Sequence, residues 1–352
     1  MALLSKRHDY ILEVLQDNPS ISVTKLLNLI RSKFPTISKI TLNRDLSYLQ
    51  QHNLVTHTGK ARATVYALSP AFQLIHPVRV KEYLTNDIQA RHGATQFTND
   101  IFLLTKEATI FLDEELDSLK TLGGVYQHNI RTLSKTIYKK EMERFTVELS
   151  WKSSQIEGNT YTLLETEELL SQKKRSKQRT NEETVMILNH KKTLDYIRAH
   201  PTMFETLRVS HIEDIHSLLV DKLEIKKGLR THPVGITGTS YRPLDNVHQI
   251  RDAMSLLVDT INTKQNPFEK ALLAMLLIAY LQPFEDGNKR TSRLIGNAIL
   301  IAHNLCPISY RSAKEEEYKK AVILFYEQLN CSYFKELFID QFTYAVNHYF
   351  QT

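Results

Sequence analysis

Residues Ala271–Asn304 read ALLAMLLIAYL, then QPFEDGNKRTSR, then LIGNAILIAHN, and the fold is decided there. Ala271–Leu281 is an unbroken apolar run. It is too short to span a bilayer, so it predicts a helix buried on all sides. From about Lys289 a second helix is expected, with Leu294, Ile295, Ala298, Ile299 and Ala302 turned inward. Gln282–Arg290 is then a short turn positioned by two packed helices. Gly287 allows an unusual backbone angle, and Asn288 and Lys289 open the next helix, so their N–H groups face a concavity suited to anions. Arg290 and Arg293, three apart, share a helix face and grip phosphate oxygens as forks. Asp286 is the carboxylate in place to hold a Mg²⁺ that also bridges phosphates. This spacing suits a nucleotide polyphosphate. It also suits helix caps at Asp286 and Asn288 with arginines as surface charge, and on spacing alone both readings stand.

Working outward, the first seventy residues carry nine Lys/Arg against four Asp/Glu, nearly all of the chain's net charge of +6. Short helices are expected around Tyr10–Leu15 and Leu26–Phe34. Ser38 caps a third, with Leu42, Leu46 and Leu49 inward and Lys39, Thr41, Asn43, Arg44 and Ser47 outward. Residues 54–58 and 63–68 read as two strands around a basic tip at Lys60 and Arg62. Three helices and a hairpin resemble a winged helix-turn-helix. That resemblance and the charge imply duplex DNA as a partner, contacted by Lys39, Thr41, Asn43, Arg44, Lys60 and Arg62. Winged helices also serve as protein-docking modules, and that reading stays open.

The segment QPFEDGNKRTSR resembles the signature of Fic (fido-fold) proteins, His-Pro-Phe-x-Asp-Gly-Asn-Gly-Arg-x-x-Arg. That family moves AMP, or less often another phosphate-containing group, from a nucleotide to a protein hydroxyl. The resemblance implies ATP and Mg²⁺ as cofactors, with Asp286 on the metal. Gln282, Asp286, Asn288 and Arg290 then form the catalytic set, and Gly287, Asn288, Lys289, Arg290 and Arg293 surround the nucleotide, with Phe284 at the site packed beneath the loop. Ser153-x-x-x-Glu157-Gly158 resembles the family's inhibitory motif, in which the glutamate pairs with the second arginine, here Arg293. Val234–Tyr241 reads as a hairpin and resembles the family's flap, with Thr237, Gly238, Thr239 and Ser240 bordering the nucleotide. Tyr318 and Asn330 would contact base or ribose.

Two positions depart from the signature. The family histidine, the base that takes the hydroxyl proton, is Gln282 here, and an amide has no useful basicity. Losing a positioned base costs about 10²–10⁴-fold. The second glycine is Lys289, as in some relatives that phosphorylate their target. The expectation is an autoinhibited AMP-transferase scaffold with impaired chemistry. The alternatives are an inactive nucleotide-sensing regulator and a phosphotransferase.

With ten glycines, helical periodicity throughout and no low-complexity tract, the class is mainly α: a helical Fic domain with a small hairpin flap behind a winged helix-turn-helix. The expected organisation is 1–70 for the winged unit, 71–145 for a helical connector and 146–352 for the core. The core holds an inhibitory helix at 149–159, a flap at 234–243 and the signature loop at 282–293. Cys306 and Cys331 form no spaced metal pattern and fit a reducing compartment. Residues 1–7 lack the apolar core of a signal peptide, so a cytoplasmic protein is expected, with no membrane partner. The transfer target is a protein hydroxyl, one of its own included, and a homodimer is left open.

Overall fold

The computed structural model describes residues 4–351. The front of the chain is built from α1 (Lys6–Asp17), β1 (Ile21–Ser22), α2 (Val23–Arg31), α3 (Lys39–Gln51), β2 (Val55–Thr58) and β3 (Val65–Leu68). Ser5, Ser22 and Ser38 each cap a helix, their hydroxyls accepting from the backbone three residues on. Leu42, Leu46 and Leu49 are fully buried, as their spacing requires. Strands β2 and β3 pair antiparallel, Val55 opposite Leu68 and Thr58 opposite Val65. Strand β1, which no sequence pattern signals, adds to β3 through Ile21 opposite Tyr66, giving the order β1-β3-β2. Asp45, buried on α3, accepts from Arg7 at 2.5 and 2.9 Å and binds α3 to α1. Lys39, Asn43, Arg44, Ser47 and Lys60 are exposed, as is the apolar Ile40, while Thr41 is half-buried; the Arg62 side chain lies outside the described residues.

A connector follows, with α4 (Phe72–Ile75), α5 (Val80–Thr85), α6 (Asp100–Glu107) and α7 (Asp113–Thr132). Residues 78–81, which resemble a short strand in sequence, instead enter α5. Among the described residues the pairings of the one sheet do not include them. The connector is pegged to the far end of the chain. Asn330 Nδ2 donates to the carbonyls of Gln73 (3.0 Å) and His76 (2.9 Å), and Cys331 N to that of Leu74 (2.7 Å). Glu327, all but sealed from solvent, takes Arg91 Nη1 at 3.1 Å, Tyr83 Oη at 2.8 Å and Thr239 Oγ1 at 2.6 Å.

The core comprises α8 (Lys135–Ile156), α9 (Leu163–Gln172), α10 (Asn181–Ala199), α11 (Val209–Leu219) and α12 (Val247–Thr263). It continues through α13 (Pro267–Leu281), α14 (Asn288–Ala302), α15 (Glu315–Gln328) and α16 (Ser332–His348). The helix expected at 149–159 is the last part of the longer α8, which ends at Ile156 with Glu157 as its C-cap and Gly158 beyond it. Every residue of Ala271–Leu281 is at most 1% exposed, so α13 is the central rod. Helix α14 packs along it so closely that a Cβ on Gly296 would meet Met275 Cε at 2.3 Å. The inward positions of α14 are buried as expected except Ala302, which is half-buried. Among the described residues, no helix is long and apolar enough to cross a membrane.

The expected hairpin at 234–241 does not form. Its backbone bonds go elsewhere: Gly238 O accepts from Arg91 Nη2 at 3.2 Å, and Arg242 pairs with residues 95–97 through a single parallel bridge at Gln96. Two glycines, one at φ +89°, and a Tyr241 ring drawn between Tyr280 and Tyr326 leave the segment an irregular strap.

Candidate active site

The turn between α13 and α14 floors a cleft of ≈ 450 Å³. Gly287 ends the turn at φ +79°, and the first turn of α14 presents its N–H groups to the cleft as helix geometry demands. Asn288 staples the turn to itself, accepting from Phe284 N at 2.9 Å and donating to Phe284 O at 2.8 Å. Below, the Phe284 ring stacks on His216 of α11 at 3.7 Å, and His216 Nε2 donates to the Asp286 carbonyl at 3.0 Å. Burial holds the His216 pKa at about 4, so the ring is neutral.

The cations of the turn are not free. Arg293, fully buried, donates through Nε to Ser153 Oγ (2.9 Å), through Nη2 to Ser153 O (2.8 Å) and through Nη1 to Glu157 Oε1 (2.8 Å). Lys289 Nζ meets Glu157 Oε2, also at 2.8 Å. Burial alone would raise the Glu157 pKa; Arg293 and then Lys289 overcome it and hold it at about 2. Arg290 is 2% exposed and bonds Asp286 through Nη2 at 3.1 Å, while its Nη1 is buried without a partner. The Asp286 side chain is 66% exposed and points toward solvent beside the cleft. A buried guanidinium nitrogen without a partner can donate to an anion, and the open carboxylate beside it can take a cation.

Residues 206–300 match the model of the Fic/DOC family. The chain is similar to the protein adenylyltransferase Fic of Drosophila grimshawi, 25% identical over 235 residues, 62% of this chain and 44% of that protein. It is likewise similar to the protein adenylyltransferase Fic of Nematostella vectensis, 28% identical over 194 residues, 51% and 42% of the two chains. This chain thus spans less than half the length of these relatives. Among solved structures, a Fic domain containing signaling protein from Bacteroides thetaiotaomicron superposes with a TM-score of 0.57 at 22% identity, covering 65% of this chain and 95% of that one. Fic-1 of C. elegans gives 0.55 at 16% identity, covering 67% and 72%. At such identities these two likenesses speak for the fold. Together the findings support a Fic domain here.

The cleft brings together Gln282, Asp286, Gly287, Asn288, Lys289, Arg290, Glu157, Gly158, Thr237 and Tyr318, all named from the sequence. Arg293 lies just behind it, its guanidinium 5.1 Å from the Tyr318 ring centre. Other expectations need correction. Asn330 does not reach the cleft: it is fully buried and its amide is spent on Gln73, His76 and Ser332. The strap lines the cleft only as far as Thr237; Gly238 and Thr239 are turned toward Arg91 and Glu327, and Ser240 lies beyond the rim. The Asn288 side chain holds the turn rather than facing the cleft, whereas Phe284 packs beneath the loop, as the resemblance implies. Gln282 donates Nε2 to Ala279 O (2.6 Å) and Tyr326 Oη (3.2 Å) and sits in a left-handed conformation at φ 50°. Lys319, Ile323 and Tyr326 of α15 line the opposite wall and were not foreseen. Neither was His216, which by spacing is one more position on the buried face of α11.

Proposed function

We propose that the protein is a Fic-type adenylyltransferase scaffold that binds ATP with Mg²⁺ in this cleft and is held closed by Glu157. The observation that carries the reading is the carboxylate of Glu157 lying across Arg293 and Lys289, where it competes with a phosphate for the same cations. With Glu157 withdrawn, Arg293 and Arg290 hold phosphate oxygens and the α14 N–H groups face them. Asp286, with phosphate oxygens and water, would hold Mg²⁺, which supplies charge neutralisation on the phosphates. AMP transfer would join a protein hydroxyl oxygen to the α-phosphorus as pyrophosphate leaves, in line, with positioning and charge doing most of the acceleration. Gln282 cannot accept the hydroxyl proton, and its tethered amide favours a second reading, a nucleotide sensor without turnover.

The front unit is read as a winged helix-turn-helix that binds duplex DNA, with the exposed Lys39, Asn43 and Arg44 of α3 toward the groove and Lys60 toward the backbone. Incubation with α- and γ-labelled ATP separates the readings. Protein label from the α position supports AMP transfer, label from γ alone phosphotransfer, and ATP binding with neither supports the sensor. Failure of both Glu157→Gly and the parent to bind ATP sinks all three.

A further inference from the structure

Arg230 is among the largest side chains sealed from solvent, and its three recorded side-chain partners are all carbonyl oxygens. Nε donates to Gln282 O at 2.6 Å, Nη1 to His232 O at 3.0 Å and Nη2 to Leu244 O. Its backbone N donates to Pro283 O at 3.0 Å. His232 and Leu244 bracket the strap; Gln282 and Pro283 begin the anion-binding turn. One guanidinium therefore hangs both ends of the strap and the start of the turn on a single planar fork. Tyr241 adds a second bolt from strap to rod, its hydroxyl donating to Tyr280 O at 2.8 Å.

The placement also answers an electrostatic problem. The turn joins the carboxyl end of α13 to the amino end of α14, so both helix ends face one hollow. Each end carries roughly half a unit charge, negative for α13 and positive for α14, and the two nearly cancel. Arg230 sits on the carbonyls at the α13 end, where a cation offsets the negative pole. Burial lowers its pKa, yet an arginine stays charged. With the negative pole of α13 offset, the helix ends at the turn contribute a net positive charge on their own account.

We infer that Arg230, outside the signature segment, is a positioning residue of the nucleotide site: it fixes the strap against the turn and cancels the negative pole of α13, so that the hollow accepts polyphosphate. This rests on the proposed nucleotide reading. The test uses the full chain carrying Glu157→Gly, to which Arg230→Lys (charge kept, fork lost) or Arg230→Gln (one amide donor group kept, charge lost) is added. Affinities for ATP–Mg²⁺ and for adenosine are measured by calorimetry, and amide exchange of residues 234–241 by mass spectrometry. Both additions should speed strap exchange. Arg230→Gln should weaken ATP by tenfold or more with adenosine within about twofold, and Arg230→Lys should weaken ATP less. Proportional losses of ATP and adenosine, or unchanged ATP affinity in Arg230→Gln, would overturn the electrostatic role; unchanged strap exchange in both would overturn the positional one. If Glu157→Gly alone binds no ATP, the nucleotide reading and with it the electrostatic role are refuted, and the exchange measurement still decides whether Arg230 holds the strap.

Discussion

Replacing Glu157 with Gln removes one charge and almost no volume. The folded protein holds this carboxyl at about 2 against an ordinary 4.5, a preference for the ionised form of about 3 kcal/mol at 1.4 kcal/mol per unit. A neutral amide forfeits most of it. Arg293 keeps its two bonds to Ser153 but is left with no anion against its buried charge, the situation in which breaking a buried pair costs about 3–5 kcal/mol. The nucleotide-free variant should melt several degrees lower. Since a phosphate no longer has to displace a carboxylate worth about 3 kcal/mol, the ATP–Mg²⁺ dissociation constant should fall by about 10²-fold. Calorimetry reads the second effect, and melting with and without ATP–Mg²⁺ reads both, because the ligand should restore the lost degrees. A folded Glu157→Gln variant with parental ATP affinity would refute the reasoning. The pH dependence follows with a definite sign: the stabilisation is complete above about pH 4.5 and disappears as pH falls through about 2, so the Glu157 contact does not open near neutrality.

Gln282→His in the Glu157→Gly background should raise AMP transfer from α-labelled ATP by about 10²–10⁴-fold, and no gain would show that the missing base is not what limits the chemistry. Arg44→Ala should weaken duplex binding and relax its sequence preference, while Lys60→Ala should reduce the slope of log affinity against log salt by about one; a salt-insensitive parent would point to protein docking instead. Burial holds His190 at about 3 and His216 at about 4, so on acidification the unfolded chain takes up these protons near pH 6.5 and the folded chain does not. Stability should therefore fall from pH 6.5 toward 4 by about 1.4 kcal/mol per pH unit per histidine, and His190→Gln should flatten the decline in denaturant midpoints.

What could be read from sequence was what is local. The all-apolar run 271–281 leaves no polar face, and α13 is buried on every side. The turn residues are contiguous, so their placement needed only the two helix ends. The outward face of α3 follows from the i, i+4, i+7 spacing of its leucines. Strand β1 has two residues, and nothing near it signals pairing with a strand over forty residues on. Lys289 and Glu157 meet across more than 130 positions, and Arg230 finds its carbonyls 2 to 52 residues away. The strap misled because glycines and β-branched residues fit a hairpin as well as a segment bonded to someone else's side chains. Asn330 misled in a simpler way: an asparagine at a helix junction is as useful for pegging chain segments as for touching a base.

The buried Glu327 settles where this chain can be divided. Tyr83 and Arg91 belong to the connector by position, yet they close the charge of a carboxylate on α15 that also holds Thr239. A shortened core beginning after Arg91 would strand that carboxylate in the interior, and one beginning after His76 would empty the seat of Asn330. A seam between Leu68 and Gln73 lies upstream of both, so a core begun there keeps Glu327 and Asn330 with their partners.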